Sequence, residues 1–150
     1  ITLSFIPRKP LSFIIPNIKM KNKNLKIYVL GNLLVEKDSL PLQLVPKLKE
    51  VFPRVEFVIV DPNENFPPPG EKDLVILDTV LGINEPKILN LTDFDNYKKT
   101  PISPHDYDLL IHLLLLKKMN KINNVKIIGV LPNKSIKTAL KSVINLINKI

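Results

Sequence analysis

The chain has 150 residues, 45% of them hydrophobic, with no cysteine or tryptophan, fourteen prolines, four glycines and a formal charge of +8. That length and composition suit one globular domain with a sizeable core and exclude a disordered chain. The absence of cysteine excludes a disulfide framework, a thiolate metal site and a thiol nucleophile, and fits a reducing cytoplasm. The charge is segregated: residues 1–25 carry +5 and residues 111–150 carry +8, each without an acid, while 26–110 carry −5.

Residues 1–24 read as an N-terminal extension to a domain spanning 25–150, with Met20 as an alternative beginning. Pro7, Pro10 and Pro16 interrupt its apolar runs, and Arg8 and Lys9 fall where a signal peptide needs an unbroken apolar core. No stretch reaches the eighteen or so apolar residues of a membrane helix, so no membrane insertion is expected. Lys26–Leu30 predicts a strand ended by Gly31-Asn32. Apolar residues at 42, 44, 45, 48 and 51 predict a helix over Leu42–Val51, its first turn shifted or kinked by Pro46. Val55–Val60 is a second strand, closed by Asp61 and Pro62. Pro67-Pro68-Pro69-Gly70 marks a loop, and Leu74–Leu77 reads as a strand covered on both faces. Pro86–Leu91 is a weaker strand signal. Ser103, Pro104 and Asp106 form a capping-box-like start for a helix over 104–118. Val125–Val130 is a further strand, and apolar residues from Ile136 to Ile150 at helical spacing predict an amphipathic C-terminal helix. Strands alternating with helices predict an α/β fold: a three-layer sandwich with a twisted, mostly parallel central sheet flanked by helices.

In such folds ligands bind beyond the carboxyl ends of the strands. Asp38 follows the first strand, Asp78 ends the Leu74–Leu77 run, and His105 falls in the first turn of the helix that Ser103 caps. A helix N-terminus disfavours a charged imidazole and leaves a ring nitrogen able to bind metal. Two carboxylates and an imidazole suit a borderline divalent ion such as nickel or zinc. Each residue also has an ordinary reading: aspartate as a turn or cap residue, histidine as a solvated side chain. His112, seven residues beyond His105, sits about 10 Å further along the helix and reads as a core or rim residue. No dinucleotide, P-loop or serine-hydrolase motif is present. The C-terminal lysines lack interleaved aromatics and read as the polar face of a helix, which argues against nucleic acid.

The run from Ile27 to Asp38 resembles the opening of the nickel–iron hydrogenase maturation endopeptidases, a strand followed by G-N-x-L-x-x and an acidic pair. Asp73–Asp78 is similar to that family's apolar strand ending in aspartate. Ile102-Ser103-Pro104-His105 is similar to its histidine segment, and Val125–Pro132 to its last strand with the G-x-x-P ending. Departures are Lys37 in place of the first acid of the pair, Ser39-Leu40-Pro41 where a glycine usually follows, and Asp61-Pro62-Asn63 in place of a glycine-rich turn. The resemblance implies an aspartic-type processing endopeptidase. Such an enzyme removes a C-terminal peptide from a hydrogenase large-subunit precursor once nickel is inserted. It also implies that Asp38, Asp78 and His105 are the metal-reading and catalytic residues, with Ni2+ held by the precursor and other divalent ions such as Zn2+ as alternatives. Two other readings remain open: a non-catalytic relative that binds the loaded precursor without cleaving it, and a binder of anionic surfaces through the terminal lysines.

Overall fold

The computed structural model describes residues 25–60, 65–94 and 107–150. The N-terminal segment 1–24, Asp61 and His105 lie outside the described residues. In chain order the elements are β1 (Lys26–Val29), α1 (Leu40–Val51), β2 (Glu56–Ile59), β3 (Asp73–Thr79), β4 (Lys87–Asn90), α2 (Tyr107–Lys118), β5 (Asn124–Val130) and α3 (Ile136–Ile147). Short 3-10 turns occupy Glu36–Asp38 and Leu91–Phe94.

The sheet order is β2-β1-β3-β5-β4. β2, β1, β3 and β5 pair in parallel, and β4 closes one edge antiparallel to β5. The weak Pro86–Leu91 signal is therefore a real strand, placed at an edge where only one neighbour stabilises it. Side chains alternate across the sheet, and the two faces bury separate cores. Ile27, Val29, Phe57, Leu77, Ile128 and Val130 face α1 and α3. Tyr28, Leu74, Ile76, Val125 and Ile127 face the other way, where Leu113 of α2 is fully buried against them. Helices on both faces of a mostly parallel sheet make the expected three-layer sandwich.

Local chemistry explains the helix limits. α1 begins at Leu40, two residues before the apolar spacing placed it, with Pro41 in its first turn. Pro46 sits inside the helix without ending it. It lies on the exposed side, where water can serve the carbonyl that its missing N–H would have bonded. α2 ends in a Schellman arrangement: Lys121 N–H donates to Leu116 O, Asn120 N–H to Lys117 O, and Asn120 adopts φ 57°. Ser135 caps α3, its hydroxyl accepting from Thr138 N–H at 3.2 Å. α3 turns Ala139, Leu140, Val143, Ile144 and Ile147 into the core, and α1 packs beside it on the same face.

The link from β2 to β3 contains no helix among its described residues. It is tied to β1 by side chains instead. The Tyr28 hydroxyl and the Lys26 ammonium both donate to the Glu71 carboxylate, the latter at 2.9 Å, and Phe66 stacks edge-on against Tyr28 at 5.0 Å. Burial and the bond to Glu71 push the Tyr28 hydroxyl up to about 12. Burial would raise Glu71, but the bonds from Tyr28 and Lys26 outweigh it and hold the carboxyl below its ordinary range.

Candidate active site

From β1 the chain moves outward to β2 and then returns past β1 to β3. The carboxyl ends of β1 and β3 therefore flank the point where the strand order reverses, the crevice in which open α/β sheets bind ligands. Asp38 lies in the connection that follows β1, and Asp78 near the carboxyl end of β3.

Asp38 closes the 3-10 turn in the connection from β1 to α1 and is buried. Its position is set by backbone bonds rather than by packing of its own. Asn32 N–H donates to Asp38 O at 3.1 Å, Asp38 N–H to Val35 O at 2.9 Å, and Val35 N–H to Asn32 O at 3.1 Å. The Asn32 side-chain oxygen accepts from Leu34 N–H at 2.9 Å. A side chain at Gly31 would bring its Cβ within 2.9 Å of both Asp38 O and Leu42 Cγ, so the loop can fold back this closely only over glycine. Behind Asp38, the Ser39 hydroxyl donates to Glu36 O and accepts from the Gln43 amide at 2.8 Å. Burial raises the Asp38 carboxyl to about 6, partly offset by a hydrogen bond from the Asn32 backbone.

Asp78 lies inside β3, which extends through Thr79, two residues beyond the apolar run that marked the strand. Its pairing with Gly129 of β5 carries the ladder past the polar residues, which is why apolar character alone placed the end too early. Asp78 is 3% exposed. Its Oδ1 accepts from Thr79 N–H at 2.8 Å, and strand alternation turns it towards the α2 side. Thr79 is fully buried on the opposite side, its Oγ1 without a hydrogen-bond partner among the described residues.

The two aspartates are linked through the sheet itself. Leu30 N–H, one residue before Gly31, donates at 2.9 Å to the carbonyl of Leu77, which precedes Asp78. The 3-10 turn carrying Asp38 also contacts β3. His105 belongs to the segment just ahead of α2, outside the described residues. Among the described residues no group of three or more His, Asp or Glu is placed to hold a metal ion. His112 is exposed, on the rim rather than in the core. Asn32 reads from sequence as half of a turn signal, yet it holds the loop on which Asp38 rests. The hint was the asparagine type itself, whose side chain closes local turns.

A separate cavity of about 200 Å³ opens between the β3–β4 connection and the start of α3, with Glu85, Val130, Lys134 and Thr138 in its wall. Neither aspartate lines it. Among the described residues no helix is long and apolar enough to cross a membrane.

A mostly parallel, helix-flanked sheet, with one buried aspartate in the turn after β1 and another near the carboxyl end of β3, defines an α/β protein. The fold is similar to a solved structure described as the hydrogenase 3 maturation protease. The TM-score is 0.53 at 21% identity, over 81% of this chain and 87% of that one. The motif resemblance and the structural likeness thus point to the same fold. No family model matches the chain, and no curated protein matches it in sequence.

Proposed function

We propose that this chain is a divergent hydrogenase maturation protease. In this reading it removes a C-terminal peptide from a hydrogenase large-subunit precursor that already carries nickel. The observation that supports the reading is the burial of Asp38 in the turn after β1 and of Asp78 near the carboxyl end of neighbouring β3, in a fold like that of the hydrogenase 3 maturation protease. Asp38 and Asp78 engage the metal-bearing end of the precursor, and His105 is the third group that reads it. The nickel arrives as part of the substrate. Carboxylates and an imidazole are suitable donors for such an ion, and they supply a site from which cysteine is absent. The chain's own part is to hold the precursor's end beside these carboxylates.

The test is to incubate the purified chain with nickel-loaded precursor and follow the mass of the large subunit. The expected result is loss of a C-terminal peptide, reduced at least ~100-fold in Asp38→Asn and Asp78→Asn, the scale of losing a positioned acid–base or metal-reading group. Wild-type rates in both variants would remove these residues from the site. Lys37, which stands where the family has an acid, favours the second reading, a relative that binds without cleaving. Tight binding of the loaded precursor with no mass change would establish that one.

A further inference from the structure

We propose that the tip of the β1–α1 loop, Leu33, Leu34 and Val35, is a specificity-determining contact of the candidate active site, and that it takes apolar side chains of the substrate polypeptide beside its cleavage point. This rests on the reading above, which makes that polypeptide the hydrogenase precursor. Turns are ordinarily built from glycine, proline, asparagine, aspartate and serine, yet this one sets three large apolar residues in succession. Leu33 is 66% exposed, Leu34 94% and Val35 46%. None of the three belongs to either core cluster, so the packing of the sheet does not account for them. Nor is the tip loose. Leu34 N–H donates to the Asn32 side chain at 2.9 Å, Val35 N–H donates to Asn32 O, and Val35 O accepts from Asp38 N–H. An ordered apolar patch held in water is the kind of surface that marks a contact.

Position, charge and area select the occupant. The bonds that hold Asp38 are the bonds that hold the triplet, since Asp38 closes the same loop on Asn32 and on Val35. A polypeptide brought to Asp38 therefore lies against the loop that carries Leu33, Leu34 and Val35. Exposed Glu36 and Lys37 follow at once, one charge of each sign. The tip is thus close to neutral and offers no cluster of cations to a polyanion. The adjoining strand end is apolar as well: Ile59 closes β2, pairs in parallel with Val29 of β1, and is 56% exposed. The triplet exposes a few hundred Å², well short of the about 800 Å² per partner that a stable dimer buries. An enzyme holds its substrate only transiently, and a contact of this size suits that task better than self-association.

The experiment measures cleavage of nickel-loaded precursor at varied concentration by the wild type, Leu34→Ser, Leu33→Ser and the conservative Leu34→Met. Both leucines are exposed, so the variants should fold like the wild type, with thermal unfolding as the check; should one serine variant fold poorly, the other carries the comparison. The expected result is a KM raised at least about 10-fold in Leu34→Ser and about 3-fold in Leu33→Ser, the scale of a lost apolar contact. In both, kcat should stay within about 2-fold of wild type, and Leu34→Met should restore the wild-type KM to within about 3-fold. Unchanged KM in both serine variants, with cleavage still abolished in Asp38→Asn, would overturn the contact while leaving the protease reading intact. A fall in kcat with KM unchanged would overturn it too, making the tip a support for Asp38 and not a surface for substrate. If the wild type binds the precursor without cleaving it, fluorescence anisotropy gives the same comparison. Affinity about 10-fold weaker in Leu34→Ser then supports the contact although the protease reading has failed, and unchanged affinity overturns it. A wild type that neither cleaves nor binds the precursor would overturn both. A dimer in sedimentation that Leu34→Ser dissolves, with KM unchanged, would overturn the proposal in favour of a second copy. Binding to phosphatidylcholine vesicles that Leu34→Ser abolishes, again with KM unchanged, would overturn it in favour of a lipid surface.

Discussion

Replacing Asp38 with asparagine should stabilise the fold at neutral pH and, on the protease reading, abolish cleavage. The Asp38 carboxyl rises from 3.8 to about 6, with burial as the main cause and the Asn32 hydrogen bond as a partial offset. A carboxyl whose folded value exceeds its unfolded value binds protons more tightly in the native state. Wild-type stability from this group therefore falls as pH rises from about 4 to about 6, and the full cost of the buried charge persists above that. Two pH units correspond to about 3 kcal/mol. Asp38 is buried, but the neighbouring loop is exposed, with Leu34 94% accessible, so local opening that admits water to the charge reduces the expressed effect to about 1–2 kcal/mol. Asparagine keeps the shape and an acceptor oxygen but never ionises. Urea unfolding of the two proteins at pH 4, 6 and 7.5 reads the difference directly, with equal m-values as the check that both unfold alike. The advantage of Asp38→Asn should grow by about 1–2 kcal/mol between pH 4 and pH 7.5. A pH-independent difference, or one in which the variant loses ground as pH rises, would refute the reasoning, because it would mean that the fold already stabilises the charge. The expected outcome is the familiar opposition between stability and a functional group held in an unfavourable place.

Gly31→Ala should cost about 1–3 kcal/mol in chemical denaturation, since the added methyl group must displace backbone at Asp38 and the Leu42 side chain; cleavage should fall with it if the loop shifts. Leu113→Ala should cost about 2–5 kcal/mol by thermal or urea unfolding, as removal of a fully buried leucine leaves a cavity beneath α2. In Glu71→Gln the stabilising bonds from Tyr28 and Lys26 lose their charged acceptor. Because Glu71 is held below its ordinary range, the wild type should be the more stable protein above about pH 4.5, and the gap should close as acid protonates Glu71.

How far the sequence carries the reader differs from element to element, for physical reasons. β1, β3, β5 and α3 are legible because they are buried enough for apolar residues to dominate, and α3 adds a serine cap at a recognisable place. The limits of β3 were not, because its last two residues are polar. Asp78 and Thr79 are in the strand through pairing with Gly129 and Val130, and a pairing partner 51 residues away leaves no local mark. Apolar spacing places the start of α1 two residues late, at Leu42, because the helix opens on Leu40 with Pro41 in its first turn, where proline costs no hydrogen bond. The site divides in the same way. That Asp38 comes after the first strand and Asp78 at the end of the third apolar run is a statement about spacing, and spacing is readable. That the two strands are neighbours, with the reversal of order between them, is a statement about topology, and it has no local mark in the sequence. The exposed ridge of α2 was the least legible of all. In YDLLIHLLLLKK polar and apolar residues are spread around the helix, so no periodicity in it distinguishes the residues that meet the sheet from those left exposed. Only the position of the sheet does that, and it leaves Ile111, Leu115 and Met119 on the outside.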